Sequence, residues 1–213
     1  MRRREKEIKN RFLNNYKNAK SELIFNNDYE LLVCVMLSAQ CLDSRVNLIT
    51  PSLFANYPDI NSLANANLMN IKELIKSCNF YQNKAINLIK MAKSVVEFHS
   101  GIIPMKFDDL INLAGVGEKT ANVVLCESLG ANVMAVDTHI FRVSKRLKIS
   151  NAKTPNDCAK ELTKLFKTDL DKLHKGMVLF GRYICKAKKP DCNNCFLNDL
   201  CDEYKEQKNS NNQ

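Results

Sequence analysis

Apolar residues in this chain recur at intervals of three and four, and no alternating run is long enough for a sheet strand. Ile8, Phe12, Leu13 and Tyr16 draw a helical stripe through a strongly basic opening of about 20 residues. That opening reads equally well as a solvated amphipathic helix and as an attractor for DNA. From Asp28 onward, Leu31, Leu32, Val35 and Met36 predict a helix apolar nearly all round, hence buried. The polar stretch Ser38-Ala39-Gln40-Cys41-Leu42-Asp43 ends it, and another helix is expected from about Ser44 to Phe54, before Pro58. Ile60 to His99 reads as short helices carrying Leu63, Leu68, Ile71, Leu74 and Ile75, then Ala85, Leu88, Ile89, Ala92, Val95 and Val96. Asn79-Phe80-Tyr81 interrupts them with two aromatics at a turn. Gly101 is the expected stop, with Pro104 barring continuation.

Further on, Leu110 and Leu113 lead into Gly115-Val116-Gly117, and Val123, Val124 and Leu125 resume the pattern up to Gly130. Asp137 has the position of an N-cap for a helix over Ile140 to Leu147. Thr154 caps the next, with Pro155 at its first helical position. A last long helix is expected over Leu173 to Cys185, and a polar, frayed end from Lys205 to Gln213. The predicted class is all-α.

The Gly-Val-Gly turn joins two short helices. Glycines at 115 and 117 permit positive φ and let a foreign backbone come close, since neither carries a Cβ. Amides at the start of the second helix face outward at the positive end of its dipole, a geometry that suits a phosphate. Lys119 lies in that first turn, with partial burial and the dipole expected to disfavour its ammonium form. A phosphate-holding turn beside a lysine suggests chemistry on a nucleic acid. The formal charge of +9 favours a polyanionic partner, a trait shared by ribosomal, nucleic-acid-processing and membrane-surface proteins, while 45% hydrophobic and 26% charged residues are ordinary for a globular chain.

No secretory signal follows Arg2-Arg3-Arg4, and the longest apolar stretch, around Leu31 to Ala39, is too short to span a bilayer. The expected location is the cytoplasm of a bacterial-type cell, at the nucleoid, or else a nucleus or, after processing, an organelle. Nine cysteines are many for such a place, and the odd number argues against a disulfide framework. Cys34, Cys41, Cys78, Cys126 and Cys158 are scattered. Cys185, Cys192, Cys195 and Cys201 instead form C-x6-C-x2-C-x5-C, a thiolate set for zinc or an iron–sulfur cluster, with ligand chemistry alone favouring neither. The centre would staple a loop carrying Arg182, Lys186, Lys188 and Lys189.

The hairpin, the Val136-Asp137-Thr138-His139 segment and the cysteine spacing, in that order, resemble the endonuclease III family of helix-hairpin-helix DNA glycosylases, from about Tyr29 to Tyr204. The resemblance implies a two-lobed all-α fold: a six-helix lobe over 22–130, and a second lobe from 1–21 plus 131–213 with the cluster loop at 185–201. It implies a [4Fe–4S] cluster on the four cysteines. It also implies a bifunctional enzyme of base excision repair, acting as a monomer on double-stranded DNA with damaged bases or abasic sites. Such an enzyme removes oxidised pyrimidines and cuts 3′ to the abasic site by β-elimination. Lys119 then matches the nucleophile and Asp137 the catalytic aspartate. Gln40 matches the residue that fills the gap left by a flipped nucleotide, and Phe80 falls at an apolar wedge. Gly115, Val116, Gly117 and the basic loop are the expected DNA contacts. Three departures stand out: Ala114 for a hairpin proline, Cys41-Leu42 for a small residue then threonine, and Asn79 for glycine. A mismatch adenine glycosylase would carry a catalytic glutamate where Cys34 stands and no lysine at 119. A DNA-gripping module without activity would leave Lys119 and Asp137 incidental.

Overall fold

A computed structural model describes the backbone of residues 1–211 and the side-chain surroundings of residues 1–206. The chain runs α1 (Arg3–Asn15), α2 (Asp28–Ser38), α3 (Asp43–Asn56), α4 (Ile60–Ala64), α5 (Leu68–Ile75), α6 (Tyr81–His99), α7 (Phe107–Ile111), α8 (Glu118–Leu129), α9 (Thr138–Arg146), α10 (Pro155–Phe166), α11 (Leu170–Tyr183) and α12 (Asp202–Asn211). A 3-10 turn at Asn198–Leu200 precedes the last. Among the described residues there is no strand, as the periodicity predicts, and no helix is long and apolar enough to cross a membrane. The contacts divide the chain into two compact units: Ser21–Leu129, and Met1–Lys20 with Gly130–Gln213.

The unit Ser21–Leu129 is built on α2. Tyr29 and every residue from Leu31 to Leu37 are buried, because α2 packs against α3, α6 and α8. Each such leucine contributes about 2 kcal/mol by leaving water. The helix is capped by Asn27, whose side-chain oxygen accepts from Glu30 N at 2.9 Å. Seven helical segments stand where six were expected, since Ile60 to Ile75 breaks at Asn65–Asn67 and Asn67 caps α5. The helix α6 ends at His99, two residues before the expected glycine. Ser100 and Gly101 are both left-handed (φ 52° and 77°), and Gly101 N donates to Val95 O at 3.1 Å. Cys34 lies at the centre of this core with no exposure. Burial, helped by the Glu30 carboxylate, pushes its thiol up to about 12. It is an inert packing residue.

In the other unit, Ile8 and Phe12 of α1 are fully buried among Ile140, Val143, Leu162, Leu173 and Phe180. Phe12, Phe180 and Phe196 meet edge to face with centroids 5.1 to 5.5 Å apart. The stripe in the opening 20 residues is therefore core, and several basic residues beside it hold the chain's own carbonyls. Arg4 donates to Leu147 O (2.7 Å) and Leu200 O (2.8 Å), and Arg11 to Phe196 O (2.8 Å) and to Asp199. Lys9 is buried, donating to Thr168 O at 2.8 Å and pairing with Asp169 at 2.9 Å, so its charge is satisfied.

Thr154 caps α10 as expected, accepting from Asp157 N at 3.2 Å, with Pro155 first in the helix. Two boundaries differ from expectation. The helix α11 begins at Leu170, three residues early, because Asp169 adopts φ 59° and Leu170 N reaches Asn132 Oδ1 at 3.0 Å. It ends at Tyr183, which leaves Cys185 outside the helix. The expected fraying from Lys205 is corrected as far as Asn211, where α12 continues; residues 212–213 lie outside the described residues.

Candidate nucleic-acid interface and cluster loop

Leu110, Leu113 and Val116 are buried and anchor the hairpin between α7 and α8. Val116 N also donates to Leu113 O at 3.0 Å, so neither its side chain nor its amide faces outward. Of the three hairpin residues expected to contact DNA, Gly115 and Gly117 are exposed and Val116 is the internal anchor. The two glycines have different reasons to be glycine. Gly115 has φ +79°, and a Cβ there would come within 2.8 Å of Asn87 Cβ. Gly117 does not use positive φ, and a Cβ there would meet nothing within 4 Å. The space beside Gly117 is open. Gly115→Ala should cost about 1–2 kcal/mol of folding stability from backbone strain alone. Gly117→Ala should stay within about 0.5 kcal/mol of wild type and weaken duplex binding instead. Denaturant melts beside anisotropy titrations with abasic duplex check both, and a large stability loss at Gly117 would contradict this division.

The first α8 hydrogen bond here runs from Ala121 N to Gly117 O at 3.0 Å, so the preceding amides project from the helix's N-terminal end. Lys119 lies in that turn and is exposed, against the expectation of partial burial.

Gln40 follows the last turn of α2 and Phe80 precedes the first turn of α6. Both hold left-handed backbone, φ 55° and 57°, and both are exposed, Phe80 by 63%. That exposure rules out a core role for Phe80. The turns are tied together. Asn79 Nδ2 donates to Gln40 O at 2.7 Å, and Lys84 Nζ donates to Leu37 O at 2.6 Å and Ala39 O at 2.7 Å. Lys84 thus satisfies carbonyls at the end of α2, as a cation at a helix C-terminus does. Gln40, Phe80, Asn87 and Gly115 share one groove of about 570 Å³, with Met36 and Lys84 on its wall.

In the other unit, Asp137 is the N-cap of α9, accepting from Ile140 N at 2.7 Å. His139, which the sequence reading leaves out of the chemistry, is packed: a Cβ at Gly181 would come within 2.8 Å of its Cβ.

Cys185, Cys192, Cys195 and Cys201 line a solvent-open cup of about 460 Å³, with Leu147, Phe180, Ile184 and Tyr204 among its walls. Burial pushes the Cys195 thiol up to about 11; Cys192 and Cys201 are raised for the same first reason, with the charge at Cys185 adding. Thiolates gathered this closely need a cationic centre between them, so the donor set of this cup fits an iron–sulfur core. Two arginines that sequence reasoning missed grip the loop from α9. Arg142 donates to Cys185 O (3.0 Å) and Gly181 O (2.7 Å). Arg146 donates to Lys186 O (2.7 Å), Ala187 O (3.2 Å) and Cys185 Sγ (3.4 Å). Their four-residue spacing after an N-cap was the available signal. Lys186, Lys188 and Lys189 are exposed on this held loop, while Arg182 is half-buried and engaged within the protein.

Residues 33–168 match the model of the HhH-GPD superfamily of base excision DNA repair proteins, and residues 185–201 that of the iron-sulfur binding domain of endonuclease III. The chain is 44% identical to endonuclease III of Rickettsia conorii over 194 residues, covering 91% of this chain and 92% of that one. Against endonuclease III of Escherichia coli K12 it is 40% identical over 206 residues, covering 94% and 95%. A solved structure of a trapped endonuclease III–DNA covalent intermediate superposes with a TM-score of 0.90 at 37% identity, covering 96% of this chain and 98% of that one.

Proposed function

This chain belongs to the endonuclease III family of the HhH-GPD superfamily, and we propose that it excises oxidised pyrimidines and cuts the strand through a Schiff base on Lys119. It is a DNA glycosylase of base excision repair and an abasic-site lyase, and its cofactor is a [4Fe–4S] cluster. The observation that carries the proposal is the exposed Lys119 in the first turn of α8, two residues after the open space at Gly117. A relative of 37% identity that has been trapped covalently on DNA supports it.

A base in a duplex is reached only after rotation out of the stack, at a cost of a few kcal/mol. Gln40 fills the vacated space and Phe80 wedges the neighbouring step, offsetting part of that cost. Backbone amides near Gly115 and Gly117 hold phosphate, as do Lys186, Lys188 and Lys189, with Arg182 beside them. The neutral amine of Lys119 attacks C1′; the new C–N bond forms as the glycosidic bond breaks, and its electron pair leaves with the base. Ring opening and loss of an amine proton give the iminium. A 2′ proton is then removed, the C2′–C3′ double bond forms, and the C3′–O bond breaks with its electrons on the phosphate. Water releases Lys119. The Asp137 carboxylate steadies the sugar cation and assists proton transfer. Cys185, Cys192, Cys195 and Cys201 hold the cluster, which fixes the basic loop. The enzyme acts as a monomer, at the nucleoid of a bacterial-type cytoplasm.

Borohydride added to a mixture of protein and abasic duplex should leave a covalent adduct on a denaturing gel; absence of adduct overturns the Schiff-base reading. Cys195→Ser should lower iron from about four atoms per chain to well under one, read by metal analysis beside proteolysis at residues 185–201.

A further inference from the structure

Five cysteines lie outside the cluster loop, and in sequence they look scattered. Two of them meet. Cys41 Sγ and Cys78 Sγ are 3.6 Å apart, and neither is bonded to another sulfur. Cys41 is half-buried at the rim, and Cys78 lies beneath it with 3% exposure. Each is beside a residue of the base-flipping pair: Cys41 follows Gln40, and Cys78 precedes Phe80 by two. Asn79 already bridges the same two turns through Gln40 O. We propose that Cys41 and Cys78 are a reversible oxidation site, whose disulfide ties the Gln40 turn to the Phe80 turn and slows base removal.

The two sulfurs are already in contact at 3.6 Å, and a disulfide would close that gap to about 2.05 Å. Lys84 and Arg45 stand near enough to Cys78 to oppose, in part, the effect of its burial. Burial, with the Cys41 contact adding, pushes the Cys78 thiol up to about 12, so exchange starts at the reachable Cys41. The oxidant is a low-molecular-weight disulfide, RSSR. Cys41 gives its proton to solvent, and its thiolate attacks one sulfur of RSSR and expels RS⁻. Cys78 then loses its proton, attacks the Cys41 sulfur of the mixed disulfide and expels the second RS⁻. Two electrons and two protons leave the protein, and RSSR becomes two RSH. Excess thiol reverses both steps.

The consequence rests on the reading that Gln40 and Phe80 enter the base stack. Drawing the turns together narrows the groove that both residues line, so the two side chains lose the spacing that straddles a base-pair step. Cys34 makes a useful contrast: its sulfur faces Ile24 O at 3.6 Å and is fully buried.

The test uses reduced protein with its cluster, treated with oxidised glutathione while the visible absorbance of the cluster is held constant. Non-reducing peptide mapping should join the Cys41 and Cys78 peptides. Single-turnover base release from a lesion duplex should fall by roughly tenfold and return with dithiothreitol. Cys41→Ala should give no cross-link and no response to oxidant, and Cys78→Ala is the second variant if the first folds poorly. Both thiols remaining open to alkylation, or only a mixed disulfide with glutathione, overturns the proposal. A cross-link with unchanged or faster base release overturns it too. The mapping uses no DNA, so a missing borohydride adduct would sink the Schiff-base reading while leaving the cross-link result intact.

Discussion

Lys119→Gln should bind abasic duplex within severalfold of wild type and lose strand cleavage by at least about a thousandfold. Glutamine is one atom shorter and stays polar, but its amide nitrogen has no basic lone pair to add to C1′. The fold has little reason to notice, because Lys119 is exposed and α8 is anchored by Ala121, Val124, Leu125 and Cys126. Borohydride trapping gives the sharper reading: the adduct should vanish with the variant while the anisotropy titration barely moves. An undiminished adduct would place the reacting amine elsewhere. Loss of binding in parallel with cleavage would make Lys119 a phosphate contact, and the chain would then grip DNA through the hairpin without using this lysine in the reaction.

Asp137 offers a cleaner separation, because it has two jobs that different substitutions divide. Its carboxylate caps α9 through Ile140 N at 2.7 Å, and it is also the proposed partner of the sugar cation. Asn is as good an N-cap as Asp, while Ala is a poor one. Asp137→Asn should therefore melt like wild type yet release base about a hundredfold or more slowly. Asp137→Ala should show the same kinetic loss and in addition lose about 1 kcal/mol of stability. Thermal melts and single-turnover kinetics on both variants decide it. If Asp137→Asn keeps full activity, the residue is a cap and nothing more.

What the sequence made legible follows the range over which its signals act. Caps act within four residues, so Asp137 at α9 and Thr154-Pro155 at α10 were readable. The all-round apolar pattern of α2 was readable for the same reason. Left-handed backbone at Asp169 was not, since nothing local demands it of an aspartate, and the start of α11 moved with it. Polar α12 carries no apolar stripe, so its helix was read as a frayed end. Partners far apart in sequence were illegible. The arginines of α1 looked available for DNA until Arg4 and Arg11 found carbonyls near residue 200. Cys41 and Cys78, 37 positions apart, looked unrelated until their sulfurs touched. The motif marks Lys119 and the glycines as candidates, but burial sets Val116 apart from them, and burial is decided by packing around the turn.

The packing of α1 against α11 and the cluster loop sets an order of events during synthesis. Met1–Lys20 leaves the ribosome before residues 130–213, yet Phe12 and Arg4 find their partners at Phe180 and Leu200. Ser21–Leu129 is contiguous and collapses on its own as it emerges, following the tendency of domains to fold as units while the chain grows. The helix α1 waits, with Ile8 and Phe12 uncovered, until the residues that cover it, between 140 and 200, have been made. Cys195 and Cys201 border the same core, so the thiols that hold the cluster are gathered at the late stage in which α1 is covered.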